Sequence, residues 1–156
     1  MTLDFQAGDQ APDFILPVDT GEDVTLSSLR GRSLVLYFYP KDDTPGCTNE
    51  AQQFSALQDD FTKAGAVVIG VSRDSVTQHA KFRKKYGLSI NLGADQTGAV
   101  TGAYGVWVEK SLYGRQYMGI ERATFLIGGD GCIRQIWRKV KVANHAADVF
   151  KALKST

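Results

Sequence analysis

Two continuous apolar runs, Leu34-Val35-Leu36-Tyr37-Phe38-Tyr39 and Ala66-Val67-Val68-Ile69-Gly70-Val71, flank a helix-length segment. Apolar side chains at consecutive strand positions point to opposite faces, so both runs read as strands buried on both sides. Such strands need a packed layer above and below the sheet. Between them, residues 45–64 have a helical spacing, with Phe54, Leu57, Phe61 and Ala64 on one face and Gly65 as the C-cap. Pro40 stops the first strand.

The pattern continues with a helix over 75–86, basic towards its end at Lys84 and Lys85 and closed by Gly87. Residues 88–105 are Gly-rich and read as irregular, with one short helix near 98–103. A third strand spans 123–127. The turn Gly128-Gly129-Asp130-Gly131 follows, and a fourth strand over 132–142 returns antiparallel as a hairpin. Asn144 is placed to cap a last helix that faces Val149, Phe150 and Leu153 inward. An alternating start followed by a hairpin predicts an α/β fold, a central mixed β-sheet with helices on both faces; the pattern suits a thioredoxin-like layout, and an unrelated α/β sheet almost as well. We expect one domain over 1–156.

Composition narrows the function classes. Of 156 residues, 18 are Lys or Arg and 17 are Asp or Glu. That balance argues against nucleic acid or an anionic membrane as the main partner. No apolar stretch approaches the roughly 20 residues of a membrane span. The start Met1-Thr2-Leu3-Asp4-Phe5 has neither a basic region nor an apolar core, so no secretory signal is expected. The two cysteines, Cys47 and Cys132, form no Cys-x-x-Cys motif and no disulfide framework. A reducing, cytoplasmic setting is expected.

The segment Tyr39-Pro40-Lys41-Asp42-Asp43-Thr44-Pro45-Gly46-Cys47-Thr48-Asn49-Glu50-Ala51 carries the chemistry. Thr44 suits an N-cap and Pro45 the first helical position, which puts Cys47 in the first turn. Free backbone N–H groups and the positive end of the helix favour a thiolate there over a thiol. The remaining features read as ordinary structure. His79 and His145 are expected on the surface or at caps. Asp42 and Asp43 read as a solvated loop pair. Lys81, Arg83, Lys84 and Lys85 read as an exposed helix face. The glycines of 98–105 lack dinucleotide spacing. No metal site and no cofactor is expected.

This segment resembles the Pro-x-x-x-Thr-x-x-Cys signature of peroxiredoxins, and its full form is similar to the peroxiredoxin Q branch, also called bacterioferritin comigratory protein. Gly8-Asp9-Gln10-Ala11-Pro12-Asp13-Phe14, Leu29-Arg30-Gly31, Val68-Ile69-Gly70-Val71-Ser72, Glu121-Arg122-Ala123-Thr124-Phe125-Leu126-Ile127 and Trp137-Arg138-Lys139-Val140 extend the likeness over nearly the whole chain. The resemblance implies a thiol-dependent peroxidase acting on hydrogen peroxide and organic hydroperoxides. Cys47 would attack the peroxide and become a sulfenic acid. Thr44 would hydrogen-bond the reacting groups. Arg122 would stabilise the thiolate and the charge on the leaving oxygen. Pro40 would shield the sulfur, and Glu50 would orient Arg122.

The chain departs from that family in its second cysteine. The resolving positions, 52 in the same helix and 83 in the next, hold Gln52 and Arg83. Cys132, past a turn at the far end of the arginine's strand, is a poor resolving cysteine, so none is assigned. A single-Cys peroxidase is expected, recycled by an external thiol such as thioredoxin, glutaredoxin or glutathione, and acting as a monomer or weak dimer. A thiol-disulfide oxidoreductase on the same scaffold needs a second sulfur, but Thr44-Pro45-Gly46-Cys47 offers one. A cysteine hydrolase needs His79 or His145 as base. A non-catalytic binding or chaperone module would have no reason to keep Pro40, Thr44, Cys47 and Arg122 together.

Overall fold

The computed structural model describes residues 5–155; residues 1–4, part of the segment in which no secretory signal is expected, lie outside them. A five-stranded mixed sheet forms the centre. Its strands are β3 (Ser33–Phe38), β4 (Ala66–Ser72), β5 (Asn91–Ala94), β8 (Ala123–Ile127) and β9 (Ile133–Trp137), in the order β5-β4-β3-β8-β9. β3 runs parallel to β4, and β4 to β5. β8 is antiparallel to both β3 and β9. Two small ribbons lie outside this sheet: β1 (Ile15–Leu16) with β2 (Val24–Thr25), and β6 (Trp107–Leu112) with β7 (Arg115–Ile120).

Side-chain alternation along β3 divides the core. Leu34, Leu36 and Phe38 pack with Phe125, Ile127, Val100 and Tyr104. Val35, Tyr37 and Tyr39 pack with Phe54, Phe61, Phe82 and Val149. The helices are shared unevenly between the faces. Residues of α1 (Pro45–Ala56), α2 (Gln58–Lys63), α3 (Val76–Tyr86) and α5 (His145–Lys154) line the second cluster. The short α4 (Ala99–Ala103) and a 3₁₀ turn at Ser27–Leu29 contribute to the first. The mixed sheet with helices on both faces is thus as expected.

Five local readings need correction. The helix over 45–64 is broken at Leu57, whose ψ of 6° is non-helical. Phe54 and Phe61, on either side of the break, are both fully buried. The irregular stretch contains β5, whose four residues gain their order from pairing with β4. Residues 107–120, for which the sequence suggests no element, form the β6–β7 hairpin, and the last strand covers 133–137 instead of 132–142. Asn144 occupies the N-cap of α5 in a left-handed conformation, but its side chain makes no cap bond.

α3 is the best-specified helix. Ser75 accepts from the Gln78 backbone, and the Gln78 side chain accepts from the Ser75 N–H. This reciprocal box is worth about 1 kcal/mol. Gly87, at a φ of 62°, closes the other end.

Candidate active site

Topology brings the end of one strand to the start of another. Ala123 opens β8 directly across from Phe38, the last residue of β3. The chain leaves β3 into the loop before α1, and Arg122 immediately precedes β8. The loop and the arginine therefore meet at one edge of the sheet. Thr44 is the N-cap of α1 and Pro45 its first residue, so Cys47 lies in the first turn. Its side chain is buried, with 1% of the residue exposed.

The Nη2 of Arg122 donates to Cys47 Sγ at 3.3 Å, and Nη1 donates to Glu50 Oε1 at 2.6 Å. Glu50 stands one turn after Cys47, so both partners of the guanidinium come from one helix face. A Cβ on Gly46 would sit 3.2 Å from Nη2, so the glycine leaves room for the arginine's approach. Burial works against the Arg122 charge, but Glu50 and Cys47 beside it more than offset this and hold the guanidinium protonated. Glu50 behaves differently. Burial raises its carboxyl to about 7 despite the opposing pull of Arg122, and its Oε2 is buried without a hydrogen-bond partner.

Thr44 does not cap the helix through its side chain. Its hydroxyl donates to the Lys41 carbonyl at 2.9 Å, which leaves its lone pairs to accept. Pro40 ends the strand region and is itself exposed. The structure thus places Cys47 and Glu50 each in contact with Arg122, with Thr44 at the start of the same helix and Pro40 at the start of the loop.

The histidines are not surface groups: His79 is fully buried and His145 is 4% exposed. His145 Nε2 lies 2.7 Å from Thr124 Oγ1, and burial lowers its ionisation to about 4. His79 has both ring nitrogens engaged, Nδ1 with Asp42 and Nε2 with the Gly93 carbonyl. Neither imidazole is therefore placed as a base for the thiol, which removes the basis for a cysteine hydrolase. Asp42 is buried too, contrary to the solvated pair expected. Only Asp43 is exposed, paired with Lys85 at 2.7 Å.

Neither position for a resolving cysteine holds a sulfur, and position 83 is committed elsewhere. Gln52 is exposed on α1. Arg83 does not belong to the exposed face expected of it: its Nε donates to Asp19 at 2.5 Å and its Nη1 to the Leu88 carbonyl at 2.7 Å. Its Nη2 also donates to the Ile90 carbonyl. Cys132 is half-buried, unpaired with Cys47, and bridges Gln10 through its backbone at the opposite end of β8.

Residues 7–136 match the model of the AhpC/TSA family. The chain belongs to that family. Within it, this peroxiredoxin falls in the Bcp/PrxQ branch. It is 46% identical over 152 residues to peroxiredoxin Bcp of Bacillus subtilis, covering 97% of each chain. The bacterioferritin comigratory protein of Xanthomonas campestris, described for its alkyl peroxide reduction activity, superposes with a TM-score of 0.90. Its identity is 47%, over 96% of this chain and 98% of that one. A mutant of PrxQ from Xylella fastidiosa superposes with a TM-score of 0.93 at 39% identity, over 98% of each. This peroxiredoxin is a thiol-dependent peroxidase of thioredoxin-like fold, acting on a peroxide at the expense of a thiol. Among its described residues no helix is long and apolar enough to cross a membrane.

Proposed function

We propose that Cys47 is the thiol that meets the peroxide, and that hydrogen peroxide and alkyl hydroperoxides are its substrates. The reading rests on one observation: a single guanidinium, braced by Glu50, donates to Sγ. A fixed cation beside the sulfur favours its anionic form. It also stands ready for the charge that develops on the leaving oxygen. The X. campestris relative's alkyl peroxide reduction supports the organic substrates.

In this reading the Cys47 thiolate attacks the terminal oxygen of the peroxide, the O–O bond breaks, and the other oxygen leaves as alcohol or water after taking a proton. The sulfur becomes a sulfenic acid. Thr44, whose own proton is held by the Lys41 carbonyl, accepts from the peroxide O–H and orients it. Pro40 begins the loop that walls the sulfur off, and Glu50 fixes Arg122 against rotation. An external thiol then condenses with the sulfenic acid, releasing water, and a second thiol frees Cys47 as the mixed disulfide is reduced. Thioredoxin, glutaredoxin or glutathione fits that role. The chain acts as a monomer or weak dimer in a reducing cytoplasm, in keeping with its two free cysteines.

The test is a single turnover. Reduced protein given one equivalent of peroxide should gain one oxygen by intact mass, and Cys47→Ser should lose peroxide consumption. Consumption at the parent rate in Cys47→Ser would sink the assignment.

A further inference from the structure

A buried acid–imidazole pair outside the reacting groups holds the loop that leads to Cys47. His79, on α3, has no exposed surface. Its Nε2 faces the Gly93 carbonyl of β5 at 3.0 Å, and a carbonyl only accepts, so Nε2 carries a proton. Its Nδ1 lies 2.7 Å from Asp42 Oδ2, and one proton is shared across that contact. Asp42 Oδ1 accepts from the Tyr39 hydroxyl at 2.6 Å. The Asp42 N–H donates to Asp74 Oδ2 at 2.9 Å, and Asp74 Oδ2 accepts from Ser72 Oγ at 2.6 Å. Burial, with Tyr37 and Asp42 nearby, pushes the Tyr39 phenol well above its ordinary range, so it remains a donor.

Burying such a pair is costly unless its polar atoms are hydrogen-bonded, and here both ring nitrogens and both carboxylate oxygens have partners. The pair does not touch the sulfur. It acts on the neighbouring residues of the loop. Lys41 precedes Asp42, and its carbonyl receives the Thr44 hydroxyl. Asp43, between Asp42 and Thr44, is held at a φ of +62°. A non-glycine residue persists in that region only when its surroundings fix it.

We propose that His79 is a positioning residue for the peroxidase reaction, fixing through Asp42 the loop geometry that aims the Thr44 hydroxyl and sets the start of the Cys47 helix. The proposal rests on Cys47 as the peroxide-reacting thiol.

The experiment is stopped-flow sulfenate formation on the full chain, normalised to the folded fraction by circular dichroism. His79→Phe and Asp42→Asn should each slow the step by about 10- to 100-fold, the size expected when a reacting group is misplaced by an ångström or less. The double variant should be no slower than the slower single, since both remove one contact. His79→Gln, whose amide can still donate to Asp42, should recover most of the rate. Lys85→Ala, which breaks only the exposed pair with Asp43, should stay within about twofold, as exposed pairs contribute little. Where His79→Phe does not fold, Tyr39→Phe removes just the hydroxyl that donates to Asp42 and should still slow the step. Parent rates per folded molecule in Asp42→Asn and Tyr39→Phe would overturn the proposal, as would additive losses in the double variant. Cys47→Ser is run alongside: if it is inactive while these variants are unimpaired, only the positioning role fails. If it remains active, the reading of the site falls and this role with it.

Discussion

Glu50 is buried more deeply than the Arg122 it braces, with side-chain exposures of 1% and 17%. The carboxylate therefore bears more of the desolvation cost, which is why its ionisation rises to about 7 even beside a cation. Between the ordinary carboxylate range and that value, the folded protein binds a proton that the unfolded chain does not. The stabilisation from this proton is fully present below the unfolded value and is lost as pH rises through about 7. Thermal midpoints from pH 5 to 8 should therefore fall more steeply for the parent than for Glu50→Gln, which has no such proton. Parallel curves would show that Glu50 does not titrate in this window.

Replacing Arg122 should affect both rate and stability. Arg122→Met should slow sulfenate formation by about 10²-fold, as loss of one preorganised donor does. It also leaves the Glu50 carboxyl without its partner; raised further by the loss of the cation, that group takes up a proton, and the lost hydrogen bond costs about 1–3 kcal/mol. The double variant Arg122→Met/Glu50→Gln should recover part of the stability and none of the rate. Denaturant midpoints and stopped-flow rates on the same preparations separate the two effects.

Thr44→Val tests a hydroxyl that bonds the Lys41 carbonyl instead of capping α1. Its loss should change stability by about 1 kcal/mol or less. The rate with peroxide should fall about tenfold or more, because the substrate loses an orienting acceptor. Thr44→Ser should keep most of the rate. Equal rates for Val and Thr would remove the hydroxyl from the reaction.

Cys132 should be dispensable. β8 spans five residues, and Cys132 lies past the turn beyond it while Arg122 and Cys47 meet at its start. At ~3.3 Å per residue this leaves roughly 20 Å between the sulfurs, against the ~7 Å between Cα atoms that a disulfide allows. Cys132→Ser should turn over with small thiols at the parent rate. The oxidised parent should show an added oxygen, not a loss of two hydrogens. Excess peroxide without thiol should drive Cys47 on to sulfinic acid.

The centre of the sheet is legible in the sequence because β3, β4 and β8 are buried on both faces, which writes them as unbroken apolar runs. The motif from Pro40 to Glu50 is legible for a different reason: helix-start chemistry and a reactive sulfur share the same few residues. The β6–β7 hairpin is not legible, because most of its side chains are exposed or half-buried and no apolar alternation is demanded of it. Its turn residues Tyr113 and Gly114 are the available cue, both at positive φ. The break at Leu57 leaves Phe54, Leu57 and Phe61 in one cluster, so their spacing reads as one helix or two. His79 looks like a surface residue in the sequence because its partners, Asp42 and Gly93, are far away along the chain. Its spacing to Phe82 and Tyr86, three and then four residues, is the local sign that it faces inward.

Arg83 bears on what a cysteine at its position would cost. Its guanidinium joins the end of α3 to Asp19 and to the carbonyls that lead into β5. A mutation to cysteine there would supply a sulfur in one step, but it would also remove these bonds before any new catalytic cycle existed to compensate. On the proposed single-Cys reading, self-contained recycling through position 83 would therefore need compensating changes around Asp19 and Ile90 first.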